Sequence, residues 1–471
     1  MPRVIAISNR TAADPSARAG GLAVALWDAL RASGGLWVGW TGNLVDEPPR
    51  SAQWSQDEGV EFLLTDLTRA EYDAYYIGYA NRTIWPVFHY RIDLAHFDSA
   101  YFDAYAAVNQ RIANMVASKA QPDDLVWVHD YHFLLMADCL RRAGVGGPIG
   151  FFLHIPFPAP EIFQALPQHD WIARALSAYD VIGLQSEHDR VNLTRYLTEV
   201  CGGVETADGR IEVFGNLIRV KAYPIGIDPA AFEEAANSPE ATEAATRLGR
   251  FLGGRDLVLG VDRMDYTKGL PERFAAVGQF FDAHPEFAGK VSVTQIAPPS
   301  RSKVEEYQDL RQQLDELAGR INADYSDLDW IPLRYLARPY SRDELAGLYR
   351  IARVGLVTPL RDGMNLVAKE FVTAQRPEDP GVLILSEFAG AAEQLPSALL
   401  VNPHDTQQMA EAIHQALIMP LDERQKRWKA AREVIEATDL TWWREAFLDD
   451  LRAVAKTPAK AALRAVAAKA G

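Results

Sequence analysis

Short runs rich in valine, isoleucine and leucine alternate along the chain with longer stretches of amphipathic periodicity. The runs Val4–Ser8, Leu125–His129, Ile149–His154, Val181–Gln185, Leu257–Asp262, Val291–Ala297, Val354–Pro359 and Val382–Ser386 predict strands. Between them, apolar positions recur at helical spacing over Asp98–Ala120, Tyr131–Ala143, His188–Val200, Leu270–Ala283 and Val304–Asn322. Strands that are apolar almost throughout belong in parallel sheets covered on both faces. The alternation suffices for an α/β protein of two doubly wound, Rossmann-like domains, and 471 residues are too many for one ordinary core. The predicted boundary follows Tyr223-Pro224-Ile225-Gly226-Ile227-Asp228-Pro229, since a polar helical stretch and a fresh strand near Leu257 come next. The expected domains are thus residues 1–228 and 229–439. A helix over about 440–456 is expected to pack back on the first domain, and 457–471 forms an alanine- and lysine-rich tail.

Composition narrows the class. Hydrophobic residues make up 48% and charged residues 24%, a globular balance. The formal net charge of -15 disfavours nucleic acid or an anionic membrane as partner, but it permits a local basic pocket. Cys139 and Cys201 show no C-x-x-C spacing and read as reduced structural thiols. The first apolar run passes straight into Ser8-Asn9-Arg10 rather than into a cleavage site, and no stretch approaches a membrane span, so a cytoplasmic location is expected.

The chemistry gathers where the strands end. Ligands of open parallel sheets bind beyond the carboxyl ends of the strands. Val4–Ser8 ends in Asn9-Arg10, Leu125–His129 in Asp130, and Ile149–Leu153 in His154. Leu257–Val261 ends in Asp262-Arg263, Val291–Ala297 leads to Arg301, and Val354–Pro359 leads to Arg361-Asp362. A single such residue reads equally as a cap or a surface ion pair. The whole set, spread over both halves, suggests a cleft lined from two sides. Arg10, Arg263, Lys268 and Arg301 supply cations suited to phosphate oxygens, while Asp130, Asp362 and Glu370 could accept from sugar hydroxyls.

Two glycine-bearing segments open helical patterns. Gly20-Gly21-Leu22 starts one, which an ordinary turn would explain as well. In Asp362-Gly363-Met364-Asn365-Leu366-Val367-Ala368-Lys369-Glu370, Asn365 is placed to cap a helix whose first N–H groups could hold a diphosphate, with Glu370 a turn further on. Tyr75-Tyr76 and the Trp85–Tyr90 cluster suit either a sugar ring or a core. No P-loop, first-strand G-x-G-x-x-G, H-E-x-x-H or G-x-S-x-G occurs, which argues against a P-loop hydrolase, a dinucleotide oxidoreductase, a zinc protease and a serine hydrolase. The one D-x-D, Asp327-Leu328-Asp329, sits in a polar loop and reads as a cap.

Taken together, the stretches Ser8-Asn9-Arg10, Gly20-Gly21-Leu22, Tyr75-Tyr76, Trp85-Pro86, His129–His132, Phe151–Pro158, Tyr223–Ile227, Asp262–Gly269, Gln295–Pro298 with Arg301, and Arg361–Glu370 resemble the trehalose-6-phosphate synthases. These are retaining glycosyltransferases of family 20 with two Rossmann domains facing across a cleft, the GT-B architecture. The motifs run in order through nearly the whole chain. The resemblance implies transfer of glucose from UDP-glucose to glucose 6-phosphate by front-face substitution, with no metal and no other cofactor. It implies catalytic roles for Asp130, His154, Arg263, Lys268 and Asp362. Donor binding would fall to Gly20, Gly21, Arg263, Lys268, Tyr340, Asp362, Leu366, Val367, Ala368, Lys369 and Glu370. Acceptor binding would fall to Arg10, Tyr76, Trp85, Asp130 and Arg301, and anomer selection to Trp85 and Ile155.

Departures from the family pattern are a short loop between Arg10 and Gly20, Tyr340 where phenylalanine can stand, and the tail beyond about Thr457. The residues do not select among UDP, GDP and ADP as carrier, and they leave the oligomeric state open, a dimer or tetramer included. A sister enzyme using glycerol 3-phosphate and an inactive regulatory relative are the alternatives. Tyr76, Trp85 and Arg301 favour the hexose phosphate, and the retained charged residues oppose an inactive relative.

Overall fold

The computed structural model describes residues 2–11, 13, 26–27, 29–31, 34–49, 51–300 and 305–455. Gly20, Gly21, Arg301, most of the loop after Arg10 and the tail from 457 lie outside them. The chain divides into two compact units, Met1–Tyr223 with Trp443–Gly471, and Pro224–Trp442. The passage from one to the other thus falls within the segment Tyr223–Pro229.

Among the described residues, ten strands make the sheet of the first unit: β1 (Val4–Arg10), β2 (Leu36–Val45), β3 (Gln53–Asp57), β4 (Val60–Thr68), β5 (Leu125–His129), β6 (Ile149–Phe152), β7 (Val181–Leu184), β8 (Val204–Glu205), β9 (Arg210–Val213) and β10 (Asn216–Ala222). Their order is β3-β4-β2-β1-β5-β6-β7-β10-β9-β8. The strands from β4 to β10 in that order pair parallel, and β3, β9 and β8 add antiparallel edges. Every residue of β5, β6 and β7 is buried, the signature of a sheet covered on both faces. Part of that cover is the helix Leu440–Ala455, whose Phe447 lies flat against Trp127 with ring centroids 5.0 Å apart. Gly150 and Gly183 make room for it, since a Cβ on either would stand within 2.8 Å of the Phe447 ring.

The second unit holds β11 (Asp256–Val261), β12 (Val291–Ile296), β13 (Leu333–Leu336), β14 (Val354–Val357), β15 (Val382–Ser386) and β16 (Leu399–Val401). All pair parallel in the order β13-β12-β11-β14-β15-β16. This is the doubly wound arrangement in which the direction of winding reverses between the first and fourth strands, here β11 and β14. In the first unit the reversal falls between β1 and β5. Both predicted doubly wound α/β domains are therefore present.

Two predicted helices come out differently. The stretch Tyr131–Ala143 forms a tight turn, Tyr131–Phe133, and a helix only from Met136 to Arg142. Buried side chains intercept the carbonyls a longer helix would use. The Tyr105 hydroxyl donates to Tyr131 O at 2.7 Å, Asn109 Nδ2 to His132 O at 3.1 Å, and the Tyr179 hydroxyl to Phe133 O at 2.7 Å. The stretch His188–Val200 is an α-helix to Arg195 that widens into a π turn over Tyr196–Val200. The strands β2, β3, β4, β8, β9, β10, β13 and β16 were not predicted. Both cysteines are free thiols, Cys139 buried and Cys201 partly so. No helix among the described residues is long and apolar enough to cross a membrane.

Candidate active site

In the first unit, the carboxyl ends of β1 and β5 carry Arg10 and Asp130, on either side of the winding reversal. Arg10 is exposed, and its guanidinium sits over the Trp40 ring, 4.8 Å from the centroid. A stacked cation of this kind is held in place without losing its charge. Gly42 permits the arrangement. Its φ is +98°, and a Cβ there would stand 2.4 Å from the guanidinium carbon. Gly42→Ala is thus expected to displace Arg10. It adds roughly 1–3 kcal/mol of backbone strain, and, in the acceptor-phosphate role that the resemblance implies for Arg10, KM for that acceptor should rise more than kcat falls. Unchanged KM with a normal melting temperature would contradict it.

An aromatic chain leads onward from Arg10. Trp40 meets Tyr76 at 5.8 Å, Tyr76 stacks on His132 at 5.8 Å and 10°, His132 meets Tyr131 at 4.1 Å, and Tyr131 meets Trp85 at 5.6 Å. Asn81 ties the far side of the chain together. Its Nδ2 donates to Tyr76 O at 2.7 Å and its Oδ1 accepts from the Tyr131 hydroxyl at 3.0 Å. The acceptor candidates Arg10, Tyr76 and Trp85 thus belong to one packed cluster. Ile155 is buried nearby in sequence, just after β6.

Asp130 joins the cluster to His154. Its φ of +75° turns the chain sharply after β5, and its Oδ1 accepts from the His154 main-chain N–H at 3.2 Å. The His154 imidazole in turn lies 3.2 Å from His129, Nε2 against Nδ1. Burial pushes the His154 pKa down to about 3, and His129 falls well below the ordinary range for the same reason, reinforced by His154. Both rings are therefore neutral at neutral pH. His129 Nε2 is buried without a hydrogen-bond partner among the described residues. The arrangement that buries no orphan N–H puts the His129 proton on Nδ1, donating to His154 Nε2. His154 then carries its own proton on Nδ1, as a neutral donor suited to a sugar hydroxyl.

In the second unit, the ends of β11 and β14 carry the other set. Arg263 is exposed two residues after β11. Lys268 forms an ion pair with Asp362, which also accepts from Asn365 Nδ2 at 3.1 Å. Beneath them lies a buried network around Arg273, which donates to Asp262 at 2.6 Å, Gln295 at 2.8 Å and Thr358 at 3.0 Å. This network, with Trp40 and His129, was missed in the sequence. Trp40 and Gly42 lie in an unpredicted strand, and Arg273 sits inside a helical pattern like any amphipathic arginine.

The helix Leu366–Ala374 begins where predicted, but Asn365 does not cap it with its side chain. A φ of +73° turns that amide to Asp362 instead, leaving the opening N–H groups without a side-chain cap. Such a terminus suits an anion. The Lys369 side chain is engaged elsewhere. Its ammonium is fully buried, donating to Ile225 O at 2.7 Å and Gln394 Oε1 at 2.6 Å. Burial brings its pKa down to about 7, and a neutral amine still has two N–H bonds for those two acceptors. Only its main chain is left for a donor. Glu370 is half-buried, and desolvation pushes its carboxyl up to about 7 against the pull of Arg342 and Tyr349. Tyr340 lies under Arg338, 4.6 Å from ring centroid to guanidinium carbon.

Known proteins match nearly all of this chain. The sequence profile described as glycosyltransferase family 20 matches residues 5–453. Trehalose-6-phosphate synthase of Sodalis glossinidius is 44% identical over 98% of this chain and 97% of that protein. An α,α-trehalose-phosphate synthase (UDP-forming) from Burkholderia vietnamiensis superposes with a TM-score of 0.95 at 48% identity, covering 97% of this chain and 98% of that one. The Burkholderia xenovorans enzyme of the same description, solved in complex with glucose 6-phosphate, superposes with a TM-score of 0.91 at 44% identity, covering 96% and 100%. With two doubly wound domains and a match that runs essentially from end to end, the chain belongs to glycosyltransferase family 20.

Proposed function

We propose that this protein transfers glucose from UDP-glucose to glucose 6-phosphate with retention of configuration, giving trehalose 6-phosphate and UDP. The observation that carries this reading is that the winding reversal of each unit bears one ligand set: Arg10 and Asp130 in the first, and Lys268, Asp362 and the start of Leu366–Ala374 in the second. Relatives with this fold release UDP, and one was solved with glucose 6-phosphate.

In this reading Arg263 and Lys268 take the donor diphosphate, together with the N–H groups of Leu366, Val367, Ala368 and Lys369, and Glu370 takes the ribose. Gly20 and Gly21 border the donor, and Tyr340 lies by its base. Arg10 and Arg301 clamp the acceptor phosphate, and Tyr76, Trp85 and Asp130 its sugar. Trp85 and Ile155 select the anomer. The bond from the anomeric carbon to the diphosphate oxygen breaks as the acceptor's C1 hydroxyl attacks from the same face, and the departing phosphate takes that hydroxyl's proton. His154 and Asp362 hold the transferred ring. The protein contributes position and charge, with Arg263 and Lys268 rather than a metal answering the developing negative charge. The work is done in the cytoplasm.

The test mixes purified protein with UDP-glucose and either glucose 6-phosphate or glycerol 3-phosphate, and identifies the product by NMR. Equimolar UDP and trehalose 6-phosphate are expected. Product from glycerol 3-phosphate alone, or no UDP release at all, would overturn the reading.

Glu370 gives a pH signature. With a folded pKa near 7, its carboxyl gains a proton as pH falls through that value and loses an acceptor for the ribose diol. KM for UDP-glucose should therefore rise below pH ~7 in the wild type and be raised but flat in Glu370→Gln. A wild-type profile flat across this range would count against the ribose role.

A further inference from the structure

Away from both strand-end clusters, three metal-ligating side chains meet on the second unit. His284 follows the helix Leu270–Ala283 as its C-cap, and Glu411 and His414 lie one turn apart on the helix Thr406–Ile418, which packs against it. His284 Nε2 is 3.4 Å from one Glu411 oxygen, and His414 Nδ1 is 3.4 Å from the other. The two imidazoles lie face to face, centroids 3.8 Å apart at 20°. One ligand atom from each of the three residues lies within 4.8 Å of the others. Ligands at a zinc–nitrogen distance of ~2.05 Å in a tetrahedron stand about 3.3 Å apart, close to the two histidine–carboxylate spacings of 3.4 Å.

The surroundings suit an ion better than a chance ion pair. Glu286 Oε1 stands 3.7 Å from His284 Nδ1, on the opposite edge of the ring from Glu411. At that distance the contact is one of charge rather than a hydrogen bond, and it favours the proton on Nδ1, the tautomer that leaves the Nε2 lone pair for a metal. Phe280 and Phe287 pack against the rings, at 5.8 Å from His284 and 5.7 Å from His414, and restrict their rotation. The His284 and His414 side chains keep 15% and 21% of their exposure and Glu411 66%, so an ion can reach all three. The carbonyl end of Leu270–Ala283 adds a favourable field for a cation.

We propose that His284, Glu411 and His414 bind one divalent late transition ion of the zinc class, with solvent completing the coordination, and that the ion clips the two helices together. Two imidazoles and a carboxylate suit such an ion, whereas magnesium and calcium prefer oxygen alone.

The experiment uses untagged full-length protein stripped with a chelator and dialysed. Zn2+ is titrated in competition with a chromophoric chelator, Co2+ binding is followed by its visible d–d absorption, and melting is followed with and without Zn2+. One equivalent per chain and a Zn2+-dependent rise in melting temperature are expected. His284→Ala and His414→Gln should each weaken binding at least about tenfold, a loss that even outer-shell changes can cause, and abolish the rise in melting temperature. Their metal-free melting and glucosyl transfer should match the wild type. Glu286→Gln should weaken binding less. No saturable equivalent, or Zn2+ affinity equal in wild type and both histidine variants, would overturn the proposal.

Discussion

Arg263→Ala should lower turnover by about 10²–10³-fold, or ~3–4 kcal/mol of barrier, the range found when one donor to a developing oxyanion is removed. Folding stability should move by less than about 0.5 kcal/mol, because Arg263 is an exposed residue after β11. The charge it would answer is largest as the diphosphate departs, so kcat should carry the loss and KM for UDP-glucose should change less. Arg263→Lys should restore part of it, since an ammonium supplies the charge without the bidentate fork. Steady-state kinetics beside a thermal melt would decide. Wild-type turnover in a folded Arg263→Ala protein would remove Arg263 from the reaction.

Arg273→Ala should act the other way, on the fold. Arg273 and Asp262 keep only 1% and 2% of their side-chain exposure and pair at 2.6 Å. Desolvation already pushes the Asp262 pKa up, and Arg273 is the first group opposing it. Removing the guanidinium leaves a buried carboxylate with only the Lys268 charge to offset it and orphans Gln295 and Thr358, a change that typically destabilises by about 3–5 kcal/mol. With its partner gone, the Asp262 pKa should rise further, so the folded state takes up a proton more readily than the unfolded one. The defect should therefore shrink as pH is lowered and grow as it is raised. Calorimetry of wild type and variant across the acid-to-neutral range would show this. A loss of stability that is the same at every pH would mean Asp262 is not the cause.

What could be read in the sequence follows from how local each signal is. Leu125–His129, Val382–Ser386 and Leu270–Ala283 were predicted with the bounds they have, because unbroken apolar runs and a clean helical period need no tertiary context. β2 was missed because Gly39, Thr41, Gly42 and Asn43 interrupt its apolar run, and only its first five residues are buried. That loss mattered, for Trp40 is the surface on which Arg10 rests. Charged strand ends announced Arg10, Asp130, His154 and Asp362 as candidates by their position. Partnerships such as Lys268 with Asp362, or His129 with His154, join residues far apart in the chain that no spacing connects. The fate of Lys369 was hidden for the same reason. An apolar helix start gives no hint that Ile225 O and Gln394 wait to receive its amine.

The helix Leu440–Ala455 has a consequence for synthesis on the ribosome. Phe447 and Trp443 complete the cover over Trp127, yet 219 residues, 224 to 442, are made between Tyr223 and Trp443. At about 5–20 residues per second, that leaves a nascent first unit with one apolar face bare for roughly 10–45 s. Trp127, Gly150 and Gly183 would meanwhile offer a greasy furrow to chaperones or to neighbouring chains. A stop codon shortly before Trp443 should accordingly yield aggregates rather than a slightly shortened soluble protein.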